Sequence, residues 1–277
     1  MLDCPENCPA EQIAANMYDK VIEMLYYQDV YFVFDRYKAY SIKSSTRAER
    51  ARNRAYRYQI TSNTILPSKE KVLSCTSNKV QFIDIVVEYL VTKILEGNFK
   101  HRFVITGSKD TPTQVLSGKA ILRHDLTTSH EEADGILIQQ CYHLAKEEGC
   151  DIIRIVSDDA DVFALACHFF PKEIDNLVVY MEPASKGRSV IDIGESVKKH
   201  PGIMPYILQM HALTGCDSVG SYHGIGKATA INVLEKGKRL DCLGDTSRGK
   251  EEVLREATDF IGLCYGLASG EDMSAKR

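Results

Sequence analysis

A short apolar run that ends in a group of acids decides the fold expected of this chain. The run reads Ile152-Ile153-Arg154-Ile155-Val156-Ser157-Asp158-Asp159-Ala160-Asp161. Its first five residues are mostly β-branched, which predicts a strand. The acids that follow favour the first turn of a helix, where the helix dipole is positive. We therefore expect a strand that leads directly into a helix, the repeating unit of an α/β fold.

The same alternation of strands and helices is predicted on both sides of this run. Apolar residues at every fourth position indicate a helix over about 10–27, and the apolar segment 30–34 predicts a buried strand that ends at Asp35. Residues 107–130 are interpreted as a polar connection. The remaining predicted elements are helices at 46–57, 78–97, 130–148, 161–169, 202–214, 227–235 and 251–265, and strands at 103–106, 152–156, 177–181 and 189–192.

This order of elements predicts an α/β fold with a mostly parallel sheet flanked by helices. The last third of the chain is predicted to be helical. We expect one compact domain over residues 1–277, with an α/β core to about residue 200 and a helical subdomain over about 201–277.

The composition is that of an ordinary globular protein, with 277 residues, of which 44% are hydrophobic and 26% charged. No apolar run approaches the roughly 20 residues needed to cross a bilayer. The first residues lack the basic and then apolar order of a signal peptide. We therefore expect an intracellular protein, nuclear or cytoplasmic, with no membrane partner. The nine cysteines are scattered without a Cys-x-x-Cys pair, which argues against a disulfide framework or a zinc site.

Acids cluster where predicted strands end and where predicted helices begin. In open α/β sheets, ligands bind in the crevice beyond the carboxyl ends of the strands, so we expect these acids to converge there. Converging carboxylates are costly unless cations neutralise them. Their hard oxygen atoms suit Mg²⁺ or Mn²⁺, and two such ions about 4 Å apart serve in-line phosphoryl displacement. The candidate metal ligands are Asp35, Glu132, Asp134, Asp159, Asp161 and Asp217.

Each acid taken alone also has a simpler explanation. Asp35 or Asp159 is a suitable helix cap, and acids from Glu131 to Asp134 suit the start of a helix without any ligand. Another Mg²⁺ enzyme with an Asp-x-Asp motif, such as a phosphatase, is a further alternative. A haloacid-dehalogenase phosphatase, however, carries its Asp-x-Asp at the first strand, well before residue 159.

A basic stripe lies within residues 36–57, although the formal charge of the whole chain is −4. Glu49 is the single acid of this segment. A local basic stripe on a mildly acidic chain is typical of a surface that binds nucleic-acid phosphate. The alternative is a solvated helix face. Its basic residues are Arg36, Lys38, Lys43, Arg47, Arg50, Arg52, Arg54 and Arg57.

A glycine turn, Gly224-Ile225-Gly226-Lys227, opens the helix predicted at 227–235. Glycines let the backbone approach a phosphate, which the free N–H groups of the helix then bind. The turn does not fit a P-loop, because Ser221 and Ala228 stand where glycine and a hydroxyl residue are needed. It has the form of the hairpin in helix–hairpin–helix motifs, which hold duplex backbone without base readout. A simple helix cap is the alternative.

The order of these motifs resembles that of the flap-endonuclease family. That family shows Glu-Ala-Glu, Asp-x-Asp and Gly-Ser-Asp motifs before a Gly-Ile-Gly hairpin, and an aspartate at the end of its second strand. The residues of these motifs are most similar to those of a divergent, asteroid-related branch of PIN-like proteins, which is often found beside mobile elements. The corresponding segments here are Val33-Phe34-Asp35, Ser44–Arg47, His130-Glu131-Glu132-Ala133-Asp134, Asp159-Ala160-Asp161, His211–Asp217 and Gly224–Lys227.

The resemblance, which covers about residues 30–235, implies a PIN-like core and a C-terminal helix–hairpin–helix-like subdomain. It implies a structure-selective nuclease that hydrolyses phosphodiester bonds in DNA or RNA, with two Mg²⁺ or Mn²⁺ ions bound by the six acids. Lys43 and Arg50 match the spacing of the family's catalytic lysine and arginine, which stabilise charge on the scissile phosphate. The residues expected to contact nucleic acid are Arg47, Arg54, Gly224, Gly226 and Lys227.

The chain departs from the family at its first strand. The family has a metal-binding aspartate there, whereas this chain has only Asp3 upstream of its first predicted helix. Either the chain is an N-terminally shortened form or that ligand is absent. The alternative function is therefore a catalytically impaired module that binds nucleic acid or protein.

Overall fold

The computed structural model of the chain describes residues 8–24, 29–37, 56–173, 176–184, 187–216 and 219–268. It shows a mixed α/β protein whose sheets are flanked by helices, which confirms the predicted class. The chain divides into two compact units, residues 1–140 and 141–277. The single domain with a boundary near residue 200 stays a prediction.

The first unit contains a four-stranded sheet in the order β2-β4-β5-β6. Strand β2 pairs with β4 in parallel, and the other two pairings are antiparallel. A second, two-stranded sheet joins β1 to β3. The elements are β1 (Cys8–Pro9), α1 (Ala10–Glu23), β2 (Asp29–Val33), β3 (Ile65–Leu66), α2 (Lys69–Leu73), α3 (Thr76–Gly97), β4 (Arg102–Thr106), β5 (Thr113–Leu116), β6 (Lys119–Leu122) and the start of α4 (Ala133–Lys146).

The core of this unit lies between α1, α3 and the sheet. Helix α1 buries Ile13 and Val21, and α3 buries Val86 and Leu90 against them. Phe103 on β4 belongs to the same cluster. The buried positions of α3 recur mostly every three or four residues, which is the spacing of one helix face. Helix α1 shows a similar spacing, so both helices could be predicted from the sequence.

The second unit contains a three-stranded sheet in the order β7-β8-β9, in which β7 and β8 are parallel and β9 is antiparallel. Asp192 caps the helix after β9 by accepting a hydrogen bond from the N–H of Glu195 at 2.9 Å. The elements are β7 (Ile152–Val156), α5 (Ala160–Glu173), β8 (Val178–Glu182), β9 (Ile191–Asp192), α6 (Ile193–Lys199), α7 (Ile207–Leu213), α8 (Lys227–Glu235) and α9 (Lys250–Cys264).

The mostly parallel sheet expected from the sequence is not what the described residues form. Of the six pairings between their strands, the two between β2 and β4 and between β7 and β8 are parallel. Residues 107–130 were expected to be a plain connection, but they contain the β5–β6 hairpin. Ser117 and Gly118, with φ values of 48° and 70°, form its two-residue turn. Strands of four residues are too short for an alternation of apolar and polar residues to be recognised in the sequence.

The basic helix predicted at 46–57 lies mostly outside the described residues, and Tyr56 and Arg57 have no regular secondary structure. Helix α6 was not predicted, and the strand expected at 189–192 is reduced to the two residues of β9. Across the described ranges, no helix combines the length and the apolar character needed to span a membrane.

Candidate functional site

Asp35 lies two residues beyond the end of β2 and reaches the start of α4. Its Oδ1 accepts a hydrogen bond of 2.9 Å from the N–H of Ala133, a residue 98 positions away in the sequence. The hydroxyl of Tyr37 donates a longer bond, 3.4 Å, to Oδ2. Ala133 lies between Glu132 and Asp134, so the fold brings three of the predicted ligands to one helix start. All three acids are half-buried.

The same contact gives Asp35 a structural task. The first N–H groups of a helix have no acceptor within the helix, and the dipole favours negative charge there. Asp35 therefore caps α4 from the segment that follows β2. This is the simpler role that the sequence left open for each acid, and it does not conflict with metal binding through the other carboxylate oxygen atoms.

Arg36, which the sequence placed in the basic stripe, is buried and is not part of a phosphate-binding surface. Its side chain is 1% exposed. The guanidinium donates hydrogen bonds to four backbone carbonyl oxygens and lies 3.7 Å from the carboxylate of Asp110. Burial lowers the pKa of Arg36, and Asp110 opposes that effect, but an arginine stays charged in either case. An exposed basic stripe therefore does not include Arg36.

In the second unit, Asp159 and Asp161 lie where β7 leads into α5, as predicted. Asp159 is the cap of α5, because its Oδ1 accepts a hydrogen bond of 2.8 Å from the N–H of Asp161. The neighbouring Asp158 forms an ion pair with Arg188, with 3.5 Å between Nη1 and Oδ1. The two consecutive acids Asp158 and Asp159 thus have different partners.

Asp161 itself contacts a buried histidine that the sequence analysis did not assign to the site. His211 Nε2 lies 2.9 Å from Asp161 Oδ1, and His211 is only 8% exposed. A signal for this burial was present, because Ile207, Met210, His211 and Thr214 follow the spacing of one helix face. His211 was quoted only as part of a motif, and its place on the buried face of α7 was missed.

The glycine loops before α8 have the strained backbone that only glycine adopts readily. Gly215 has a φ of 93°, and a Cβ at this position would lie 2.7 Å from the Cβ of Ser221. Gly224 has a φ of 74° with open space around it. Lys227, the first residue of α8, donates a hydrogen bond of 3.1 Å from Nζ to the carbonyl oxygen of Gly215. Its side chain therefore holds its own loop, and its contact with nucleic acid, like those of Gly224 and Gly226, stays a prediction.

Several predicted site residues lie outside the described residues, and their roles stay predictions. They are Lys43, Arg47, Arg50, Arg54 and Asp217.

Within the ranges that the structure describes, no three or more His, Cys, Asp or Glu side chains are grouped so as to hold a metal ion. The described acids instead show capping geometry at Asp35 and Asp159 and a histidine contact at Asp161. The two predicted Mg²⁺ or Mn²⁺ ions therefore stay a prediction.

Models of known protein families, curated proteins and solved structures were compared with the chain, and none of them matches it. The resemblance to flap endonucleases and PIN-like proteins therefore depends on the sequence motifs alone.

Proposed function

We propose that this chain is a divalent-metal-dependent, structure-selective nuclease with a PIN-like core, and that it hydrolyses phosphodiester bonds in DNA. The observation that carries the proposal is the hydrogen bond between Asp35 and Ala133. It joins the acid that follows β2 to the helix start that carries Glu132 and Asp134. Acids brought together from distant parts of a chain are more informative than acids that are neighbours in the sequence.

The electrostatics of this helix start support cation binding. Asp35, Glu132 and Asp134 are all half-buried, and a half-buried carboxylate loses part of its hydration. The dipole of α4 stabilises each nearby negative charge by about 0.3–1 kcal/mol, which offsets only part of the cost. A divalent cation bound by carboxylate oxygens would offset the rest.

The second unit contributes further acids to the proposal. Asp159 and Asp161 follow the end of β7, as Asp35 follows the end of β2. In the proposed function, all six acids serve one reaction and hold two Mg²⁺ or Mn²⁺ ions. Such ions supply an activated water and neutralise charge on the phosphate. Lys43 and Arg50 stabilise the charge that develops on the scissile phosphate.

The proposal assigns nucleic-acid backbone binding to the segment from α7 to α8. In the proposal, the glycine turn is the hairpin of a helix–hairpin–helix-like motif, and backbone N–H groups at the start of α8 bind phosphate. Arg47 and Arg54 provide additional phosphate contacts. Such contacts give affinity that depends strongly on salt and little on base sequence.

A cleavage assay tests the proposal. Labelled 5′-flap DNA, single-stranded DNA and RNA are incubated with the chain in Mn²⁺ and, in parallel, in EDTA. We expect cleavage in Mn²⁺ only, with the flap DNA cut fastest and with 5′-phosphate and 3′-hydroxyl ends. Absence of cleavage of every substrate in Mn²⁺ would contradict the proposal, and preferred cleavage of RNA would correct the substrate.

A module that binds nucleic acid without cleaving it is the second candidate function. The observation that favours it is that Asp35 and Asp159 each cap a helix and Asp161 holds a buried histidine. Each acid thus has a structural reason to be present without a metal. The same assay separates the two functions, because such a module binds the flap DNA equally well in EDTA and in Mn²⁺ and leaves it intact.

A further inference from the structure

Arg36 is fully buried, yet its charge has no role in the proposed phosphate-binding surface. Burying a cation costs several kcal/mol unless hydrogen bonds compensate for the lost hydration. Its backbone and side-chain groups bond to two segments that are distant in the sequence, residues 107–110 and 128–131.

The first set of bonds fixes the segment immediately before α4. The backbone N–H of Arg36 donates to the carbonyl oxygen of Glu131 at 2.7 Å. Its Nη1 donates to the carbonyl oxygens of Thr128 and His130, at 2.6 and 3.2 Å. Three carbonyls within four residues are thus held by one arginine. Asp35, the preceding residue, holds the N–H of Ala133, so residues 35 and 36 together fix the entry into α4.

The second set of bonds fixes the loop after β4. Nε of Arg36 donates to the carbonyl oxygen of Gly107 at 3.3 Å, and Nη2 donates to that of Asp110 at 3.0 Å. Because β2 and β4 are paired strands, this loop lies beside the end of β2. The guanidinium therefore ties the loop after β4 to the segment before α4.

We infer that Arg36 is a positioning residue that holds Glu132 and Asp134 in place relative to Asp35, an inference that rests on the proposed function. The planar guanidinium suits this task, because its five N–H donors point in fixed directions and reach carbonyls on both sides. A lysine has three donors on a single atom and cannot replace that set. Arg36 acts through the acids, and its buried side chain does not contact substrate.

Amide hydrogen exchange measured by NMR tests the positioning. The variants are Arg36→Lys and Arg36→Met, and Arg102→Lys is the matched control. Arg102 lies at the opposite end of the same pair of strands and bonds to Asp29, with 2.6 Å between Nη2 and Oδ2. We expect exchange of the Ala133 amide to rise at least tenfold relative to the amides of β4 in both Arg36 variants, and to stay unchanged relative to them in the control.

Equal changes at Ala133 and in β4 would show that Arg36 is an ordinary core residue and would overturn the inference, as would no change at Ala133. If the variants do not fold, a measurement on the unaltered chain still tests the inference. The Nε–H of Arg36 exchanges slowly with water if its bond to Gly107 forms, and exchange at the rate of a solvated guanidinium would also overturn the inference.

A titration with Mn²⁺ separates this inference from the proposed function. Bound Mn²⁺ broadens nearby amide signals, and we expect those of Ala133 and Gly135 to broaden in the unaltered chain and in Arg102→Lys. Arg36→Lys should need at least fivefold more Mn²⁺. If Arg36→Lys and the unaltered chain need the same Mn²⁺ concentration, Arg36 has no role in the proposed metal site. If Mn²⁺ broadens neither signal in the unaltered chain, the metal-dependent function fails, and the exchange experiment still decides whether Arg36 positions α4.

Discussion

His211 and Asp161 form a hydrogen-bonded pair that joins the start of α5 to the buried face of α7, with 2.9 Å between Nε2 and Oδ1. Helix α7 leads directly into the loop at Gly215, two residues before Asp217. The histidine thus connects one predicted ligand to the element that leads to another. Loss of a residue that orients a metal ligand in this way typically lowers metal affinity or activity by about 10–100-fold.

Replacement of His211 tests this connection. We expect His211→Leu to lose about 1–3 kcal/mol of unfolding free energy, because a partly buried carboxylate loses its partner. His211→Gln, whose amide can still donate a hydrogen bond, should lose less. Urea denaturation at pH 7 measures both losses. His200, an exposed residue at the end of α6, provides the control variant His200→Gln, which should change nothing measurable. If His211→Leu is as stable as the unaltered chain, the hydrogen bond between His211 and Asp161 does not stabilise the fold.

Two variants of Asp35 separate its capping role from its charge. Asp35→Ala removes the acceptor of the Ala133 N–H and should cost about 1 kcal/mol of stability, as the loss of a helix cap does. Asp35→Asn keeps an oxygen acceptor and should cost less, yet it should abolish metal-dependent cleavage because it removes a carboxylate. Thermal unfolding and the flap assay measure the two effects, with Asp19→Asn on the exposed face of α1 as control. A fully active Asp35→Asn would be incompatible with Asp35 as a ligand.

Two glycines with similar backbone conformations should respond differently to alanine. Both Gly215 and Gly224 have positive φ, which costs a residue with a Cβ about 1–2 kcal/mol. At Gly215 the new Cβ would also lie 2.7 Å from the Cβ of Ser221 and 2.9 Å from its Cα, whereas at Gly224 the space is open. Gly215→Ala should therefore destabilise the chain more than Gly224→Ala does. Equal losses in urea denaturation would show that the loop at Gly215 has a different conformation.

Two buried thiols predict a loss of stability at alkaline pH. Burial raises the pKa of Cys141 and of Cys167 from 9.0 to about 12. Below pH 9 the thiols are neutral in both the folded and the unfolded chain, so their contribution to the unfolding free energy is fully present there. Above pH 9 the unfolded chain loses these protons first, and each thiol should lower the unfolding free energy by about 1.4 kcal/mol per pH unit up to pH 12. Urea denaturation between pH 8 and 11 should show a smaller slope for Cys141→Ala and for Cys167→Ala. A slope equal to that of the unaltered chain would contradict this prediction.

The sequence predicted the elements whose signals are local. Strand β7 and helix α8 have the predicted bounds, because an apolar run and a glycine turn mark them directly. The β5–β6 hairpin was missed because its strands have four residues each and its exposed β6 shows no apolar alternation. The number of parallel pairings was overestimated because strands separated by helices were assumed to share one sheet.

For the candidate site, the sequence predicted which acids follow strands but not their partners. The bond between Asp35 and Ala133 spans 98 positions and depends on how the chain folds back. Arg36 looked like part of a basic stripe, because nothing in its neighbourhood shows that four distant carbonyls surround it. His211 could have been assigned to the buried face of its helix from spacing alone, although its contact with Asp161 could not.

The nuclease proposal is tested most directly by the single-turnover rate of flap cleavage in Mn²⁺ for Asp159→Asn. Asparagine caps helices as well as aspartate does, so this variant keeps the start of α5 and removes one negative charge. The neighbouring Asp158→Asn is the matched control. The proposal predicts a rate at least about a hundredfold lower for Asp159→Asn, as expected when a group that stabilises the transition state is lost, and a nearly unchanged rate for Asp158→Asn. Equal cleavage by Asp159→Asn and the unaltered chain would contradict the proposal.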